Sequence, residues 1–303
     1  FHLAARLLEA GVAVTGLDNL SPYYDVALKR ARLARLAARP NFRFLRVDLA
    51  DRAALEGALA AAAPRRVVHL AAQAGVRWSI ENPHAYGAAN LTGFLNLLEA
   101  LRGAGTAHLI YASSSSVYGG STALPFRADA PVAHPVSLYA ATKRANELMA
   151  HAYAHLHGLP ATGLRFFTVY GPWGRPDMAY WTFAEAALEG RTVDLFNHGR
   201  MGRDFTYVDD LVDALVRALD AGLGFAILNF GAGRTVRLLD VIAELERALG
   251  VPARIEWLPR QTGDVSRTWA DVSAAQAALG WAPKVALEEG IARFAHWLQG
   301  RAS

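Results

Sequence analysis

The chain has 303 residues, enough for two domains' worth of structure at the usual ~100–200 residues each. With 53% hydrophobic and 19% charged residues it can bury a sizeable core, which excludes a disordered tail or a fibrous protein. A net charge of +4 without a run of basic residues argues against nucleic acid, and the absence of cysteine excludes disulfides, thiolate metal sites and a cysteine nucleophile. No metal is expected, and the lack of cysteine fits a reducing, cytoplasmic setting. The alanine-rich stretch Ala53–Ala63 is short and carries Glu56, so no membrane association is expected. Of the 31 basic residues only Lys29, Lys143 and Lys284 are lysine, so a lysine is informative where it occurs.

The first half alternates helical patterns with short apolar runs that end in polar residues. A helix Phe1–Ala10, with Leu3, Leu7 and Leu8 on one face and stopped by Gly11, leads to a strand Val12–Leu17 ending at Asp18. A helix Val26–Ala38 leads to the strand Phe42–Val47, which ends at Asp48. Helix Ala53–Ala62 precedes the strand Arg66–Leu70, and helix Ala88–Leu101 precedes the strand His108–Ala112. Helix Tyr139–Leu156 then leads to the strand Thr162–Phe167. Alternation of this length predicts a doubly wound α/β fold, a parallel sheet with helices on both faces. Beyond residue 170 it weakens through Gly171-Pro172-Trp173-Gly174-Arg175-Pro176. Helices follow near Trp181–Leu188 and at Val208–Ala221, Leu238–Leu249, Ser273–Leu279 and Leu287–Leu298, in a smaller second lobe.

Open parallel sheets bind ligands outside the carboxyl ends of their strands. Here those ends carry Asp18-Asn19, Asp48, Ala71-Ala72-Gln73, Ser113–Ser116 and Thr168. Ordinary polar turns would explain one or two such ends, not five. In a dinucleotide fold an acidic residue ending the second strand binds the adenosine ribose, ~20 residues after a glycine-rich turn. Asp18 fits that position, although a plain strand end reads about as well. Counting back ~20 residues reaches a point before Phe1, so the first strand and glycine loop are expected ahead of this sequence. Asp18-Asn19, with no arginine beside them, favour NAD over NADP, because a carboxylate repels a 2′-phosphate.

Tyr139 and Lys143 are four apart on a helical pattern and share one face. An ammonium there, like a nearby nicotinamide cation, lowers the phenol's pKa so that Tyr139 can accept a proton. Tyr-x-x-x-Lys alone is a weak pattern, but this lysine is one of three, and the pair follows Ser113-Ser114-Ser115-Ser116-Val117-Tyr118-Gly119. A flexible loop is the weaker reading of four serines set directly after an apolar strand.

With Tyr111–Gly119, Tyr139-x-x-x-Lys143 and Leu164-Arg-Phe-Phe-Thr-Val-Tyr-Gly-Pro172, the chain resembles the extended short-chain dehydrogenase/reductases, the NAD-dependent epimerase/dehydratase group. Arg203–Asp210, His69–Arg77 and Gly263-Asp264-Val265 extend the likeness along nearly the whole chain. Within that group it is most similar to the UDP-glucuronate 4-epimerases, through Ser113–Gly119, Asn197–Met201 and Gly174–Met178. The resemblance implies a Rossmann-like NAD-binding domain over residues 1–168. Residues 169–303 would be mainly a UDP-sugar lobe, with the chain near 204–232 returning to the first domain. The implied catalytic residues are Ser114, Tyr139 and Lys143. Asp18, Asn19, Asp48, Leu49, Leu70, Ala71, Ala72, Asn90 and Phe167 would join Tyr139 and Lys143 around the cofactor. Asn90 as a helix cap, Phe167 as core and Arg203–Asp204 as a surface pair are the bland alternatives. Arg77, Ser115, Ser116, Thr168, Arg175, Arg203 and Asp264 would meet the substrate. A homodimer through helices 88–101 and 139–156 is implied as well.

Related decarboxylases and dehydratases are similar but carry glutamate at the position of Ser116, and UDP-galactose 4-epimerases carry asparagine at Thr168. Both differences favour a uronate 4-epimerase. UDP-glucose/galactose epimerisation, UDP-glucuronate decarboxylation and a non-catalytic sugar-nucleotide binder are the other readings.

Overall fold

The sequence's own stop signals set the helix ends. Asp25, Asp51 and Ser137 each turn a side-chain oxygen onto a first-turn backbone N–H, at 2.8, 3.0 and 3.1 Å. Gly158, Gly250 and Gly280 end their helices in the left-handed conformation. The computed structural model describes residues 1–121, 123–260 and 265–302. Its first half runs α1 (His2–Glu9), β1 (Val14–Asp18), α2 (Val26–Ala37), β2 (Phe42–Arg46), α3 (Arg52–Ala62) and β3 (Arg66–His69). Then come α4 (Trp78–Glu81), α5 (Pro83–Tyr86), α6 (Gly93–Leu101), β4 (His108–Ser114), α7 (Leu138–His157) and β5 (Ala161–Phe166). The second half continues with β6 (Thr168–Tyr170), α8 (Ala179–Leu188), β7 (Thr192–Leu195), β8 (Gly202–Arg203), β9 (Phe205–Tyr207) and α9 (Val208–Asp220). It closes with β10 (Phe225–Phe230), β11 (Val236–Arg237), α10 (Leu238–Leu249), β12 (Arg254–Trp257), α11 (Ser273–Leu279) and α12 (Leu287–Ala302).

Four parallel strands form one sheet in the order β10-β5-β4-β3. All of β4 is buried, and its side chains alternate between two apolar layers. Leu109 and Tyr111 pack with Leu55 of α3 and Phe94 and Leu98 of α6. Ile110 packs on the opposite face with Leu3 of α1 and Leu211 and Leu215 of α9. Helices thus cover both faces, as a doubly wound sheet requires. β1 and β2 make a separate parallel pair, from Val14 opposite Phe42 to Asp18 opposite Arg46. Among the described residues no ladder joins that pair to β3. A further core, with Trp181, Tyr180, Phe294 and Ile242 at its centre, packs α8, α10 and α12 together beside the parallel pair β7–β12.

One expected helix differs. Residues 87–92 form a π-helical turn ahead of α6 instead of a regular first turn. The Asn90 amide exchanges two hydrogen bonds with the Gln73 backbone, and Asn146 donates to the Asn90 carbonyl at 2.7 Å. Side-chain donors entering a helical ladder commonly produce such a bulge.

Strand packing gives a direct test. A Cβ on Gly163 would lie 2.5 Å from the Tyr111 hydroxyl and 2.6 Å from Ile227 Cδ1. Gly163→Ala should destabilise the fold by about 1–3 kcal/mol. Gly57→Ala in α3, where a Cβ meets nothing within 4 Å, should instead stabilise by about 0.5–1 kcal/mol. Urea unfolding of both variants measures the contrast.

Candidate active site

The site lies at the carboxyl edge of the sheet, where β4 delivers its serines. β4 runs through Ser113 and Ser114, and residues 115–118 turn away as a single 3-10 turn. Ser114 starts that turn by accepting from the Ser116 backbone N–H at 3.2 Å. α7 starts at its Ser137 cap, which puts Tyr139 in the first turn and Lys143 one turn on. The Ser114 hydroxyl is near enough to the Tyr139 phenol to lower its pKa. Lys143 is 2% exposed and donates from Nζ to the Ala112 carbonyl at 2.9 Å.

The electrostatics follow from this burial. Desolvation pushes the Tyr139 phenol above its ordinary pKa, while the Ser114 hydroxyl and the positive charge of Arg175 pull it back. Burial lowers the Lys143 ammonium to about 8. The positive charge of Arg175 therefore acts on Tyr139 from outside the helix that carries Lys143. A buried ammonium with one protein acceptor retains two donors for a ligand. Behind it, burial and the Lys143 charge lower His69 to about 3, so that imidazole is neutral at pH 7.

Beside the serine turn lies a cavity of about 190 Å³. It brings together Ser115, Ser116, Thr168 and Arg203, all expected from sequence, with Val76, Ser137, Phe126 and Thr268. Val76 lies inside the His69–Arg77 segment and was open to inference. Phe126 and Thr268 carry no local signal, because their place depends on a non-local bridge between Phe126 and Ala270.

At the β1 end, Asp18 Oδ1 accepts from the Leu20 N–H at 2.6 Å, and Asn19 donates to Asp48 at 2.9 Å. The two strand-end acids thus share one edge. Lys29 approaches Asp18 to 3.9 Å from α2, a cation that sequence adjacency does not reveal. Leu49 packs under α6, a Cβ on Gly93 falling 2.8 Å from its own Cβ. Leu70 and Ala71 are exposed and Ala72 half-buried, leaving the end of β3 open. Asn90 is 1% exposed, its amide engaged by Gln73 and Thr142. Phe167 is buried with Tyr118 and Phe126, of which Phe126 lines the cavity. The Arg77 guanidinium lies 4.6 Å from the Phe196 ring centre, and Arg175 pairs with Asp177 at 2.6 Å. Asp264 lies outside the described residues.

Sequence reasoning missed a buried ionic network beneath the site. Glu147 of α7, with a side chain 1% exposed, accepts from Ser113 Oγ at 2.6 Å and Arg144 at 2.8 Å. Arg165 of β5 grips it with two bonds of 2.8 and 2.9 Å and donates to the Tyr118 hydroxyl at 3.0 Å. Tyr118 in turn donates to Asn229 at 2.6 Å. Burial alone would raise the Glu147 pKa, but these donors hold it below the usual carboxylate range.

Fold and site together define a nucleotide-sugar-processing member of the short-chain dehydrogenase/reductases. The model of the NAD dependent epimerase/dehydratase family matches residues 1–231, and the chain belongs to that family. It is 46% identical to the probable UDP-glucuronate 4-epimerase of Rhizobium meliloti (strain 1021), over 98% of this chain and 93% of that protein. Its fold is similar to the Bacillus cereus UDP-glucuronic acid 4-epimerase in complex with UDP-glucuronic acid and NAD. That likeness has a TM-score of 0.93 and 32% identity, covering 99% of this chain and 95% of the other. UDP-glucose 4-epimerase from Thermotoga maritima with UDP-glucose is similar at a TM-score of 0.89 and 30% identity, over 100% of this chain and 96% of the other.

The ionic network makes its own prediction. Arg165→Met leaves Glu147 buried without its main partner and should cost about 3–5 kcal/mol in urea unfolding at pH 7. The folded pKa of Glu147 is depressed, so its stabilisation is complete above the unfolded value and is lost as pH falls through the lower folded one. Glu147→Gln should accordingly flatten the acid limb of the stability–pH curve.

Proposed function

We propose that the chain is an NAD-dependent 4-epimerase of UDP-sugars, converting UDP-glucuronate to UDP-galacturonate. The observation that carries this reading is the cavity of hydroxyls, Ser115, Ser116 and Thr168, set beside Ser114 and Tyr139 with no carboxylate among its described lining residues. Residues 1–168, with the chain near 204–232, form the cofactor half in this reading, and the remainder mainly receives the sugar nucleotide.

The residues fit the cofactor. Lys143 keeps two unused donors for a ribose diol, and the Asp18 side chain, 48% exposed despite Lys29, stays accessible to a second ribose. Asn19, Asp48 and Leu49 border the adenine end, and Leu70, Ala71 and Ala72 leave an open path between. Asn90 acts through the Gln73 backbone it holds, and Phe167 through its packing behind Phe126. When bound, NAD supplies a reversible hydride acceptor and a positive ring that further favours the ionised phenol.

Tyr139 takes the proton from O4 of the sugar as C4 is oxidised to a ketone, and Ser114 orients both oxygens. The planar C4 has lost its configuration, so no second base is needed for inversion. After the sugar turns over in the cavity, Tyr139 returns the proton to O4 as C4 is reduced on its other face. The ketone makes the C6 carboxylate a β-keto acid that loses carbon dioxide readily. Ser115, Ser116 and Thr168 donate hydrogen bonds to that carboxylate, with Arg175 and Arg77 nearby, and so keep it charged and held. Arg203 and Asp264 complete the reading at the UDP end. A homodimer is proposed through α6 and α7, whose exposed Leu95 and Leu148 share no core cluster. The absence of cysteine supports a cytoplasmic setting.

Incubation with UDP-glucuronate, followed by NMR of the sugar, should give UDP-galacturonate without pentose and without net NADH. UDP-xylose as product would overturn the reading, and turnover of UDP-glucose alone would move it to the hexose epimerases. Tyr139→Phe should lower kcat by about 10²–10⁴-fold. Leu148→Arg should shift the sedimentation coefficient from dimer to monomer.

A further inference from the structure

The loop 171–177, which carries Arg175, is held by the first 35 residues. A ring nitrogen of His2 bonds the Pro172 carbonyl at 2.8 Å, and Arg32 donates to the Gly174 carbonyl at 2.5 Å. The Arg35 guanidinium lies 4.8 Å from the Trp173 ring centre, at a non-glycine residue with φ of +58°. At the tip, Tyr23 from the segment after β1 donates its hydroxyl to Asp177 Oδ2 at 3.0 Å. Asp177 grips Arg175 through Nε at 2.9 Å and Nη2 at 2.6 Å. A fork of this kind fixes the plane of a guanidinium and leaves the Nη1 edge for another oxygen acceptor.

Tyr23 is itself seated firmly. Its ring lies 5.0 Å from Trp78, and Trp78 leads through Tyr86 to Tyr139 in ring contacts of 5.9 and 6.1 Å. A Cβ on Gly75 would stand 2.9 Å from the Tyr23 hydroxyl, at a φ of +102°. That position therefore needs glycine for the phenol to reach Asp177. Burial and the Asp177 charge push the Tyr23 phenol up to about 12, so it donates throughout the neutral range. The Arg175 guanidinium lies 6.0 Å from the Tyr23 ring centre, the same Gly75 Cβ would stand 3.6 Å from the Tyr86 hydroxyl, and Tyr86 packs on Tyr139. The fork thus stands beside the reacting end of the site.

We propose that Tyr23 and Asp177 are positioning residues that hold Arg175 with its Nη1 edge turned to the sugar's C5 substituent, selecting a carboxylate over a neutral hydroxymethyl group. This rests on the uronate reading above. A guanidinium held in advance loses little freedom on meeting a carboxylate, whereas a hydroxymethyl group gives it no charge to meet. Asp177 also keeps Arg175 neutralised before substrate arrives. Selection comes from the fixed direction of the free edge more than from net charge.

The test is titration calorimetry of the NAD-loaded protein with UDP-glucuronate and with UDP-glucose. Tyr23→Phe keeps the ring on Trp78 and removes one hydroxyl, and Asp177→Asn keeps the shape and removes the charged fork. Both should weaken UDP-glucuronate by about tenfold while changing UDP-glucose by less than about twofold. Equal losses on both ligands, or no loss on UDP-glucuronate, would overturn the assignment. A wild type that binds UDP-glucose as tightly as UDP-glucuronate would overturn the uronate reading itself, and the assignment with it. Thermal melts of Tyr23→Phe, the milder variant, separate a folding defect from a binding one.

Discussion

The Glu147 carboxylate, buried with four donors on it, is the fixed point around which the site is built. Tyr139, Lys143 and Glu147 are spaced by four along α7 and form one stripe. Anchoring the last of them to Arg165 of β5 and Ser113 of β4 sets the rotation and register of the helix against two strands at once. The first two then have no freedom to choose where they point. Continuing through Tyr118 and Asn229, the same network reaches β10, and Asn229 donates to the carbonyl of Phe126, which lines the cavity. A buried ion pair is a poor source of net stability, since desolvation consumes most of the Coulomb gain. Its effect here is positional: the carboxylate tolerates only one arrangement of the helix and strands that surround it.

With the helix fixed, the charges divide the chemistry. Lys143, at about 8, is protonated about ten to one at pH 7, and its ammonium points at the Ala112 carbonyl. Arg175 lies outside the stripe, on the loop after β6, yet its positive charge also reaches Tyr139. Burial makes the phenol a poor anion, and one hydroxyl and one guanidinium offset that. In the proposed reaction the rest comes from the cofactor's charge, so the base is strong only when the site is loaded. That coupling suits an enzyme whose oxidised and reduced states must alternate on one bound dinucleotide.

Much of the fold was legible because its signals are local. Apolar runs of strand length, apolar residues at helical spacing and the Gly11 stop fix the elements to within a few residues. Tyr139, Lys143 and the serines were legible for the same reason, being set by spacing within one helix and by one strand end. Three features were not. The π-helical turn depends on Asn90 reaching Gln73, and the cavity wall depends on Phe126 meeting the segment near Ala270. The Glu147–Arg165 pair looks like any helix and strand charges until the sheet forms. Each is decided by partners far apart in sequence. Lys29 shows the cost of judging charge by adjacency: Asp18 has no cation beside it in the chain and one 3.9 Å away in space.

In the proposed reading, substrate choice turns on what the described lining of the cavity lacks as much as on what it holds. A dehydratase needs an acid/base within reach of C5 and C6, and in this chain Ser116 occupies the place where related enzymes carry glutamate. A hydroxyl can donate to a carboxylate but cannot exchange protons with carbon at neutral pH. Three hydroxyls on one carboxylate stabilise its charge without accepting it. In the proposed reading they also hold the C5–C6 bond away from the alignment with the C4 ketone that carbon dioxide loss requires. The residues proposed to bind the uronate would thus also suppress its decomposition, and a stronger cation placed directly at C6 would add affinity without that control. Keeping Arg175 tied to Asp177 reconciles the two demands: the site has a cation to recognise the acid, but one whose direction is set by Tyr23 and not by the substrate.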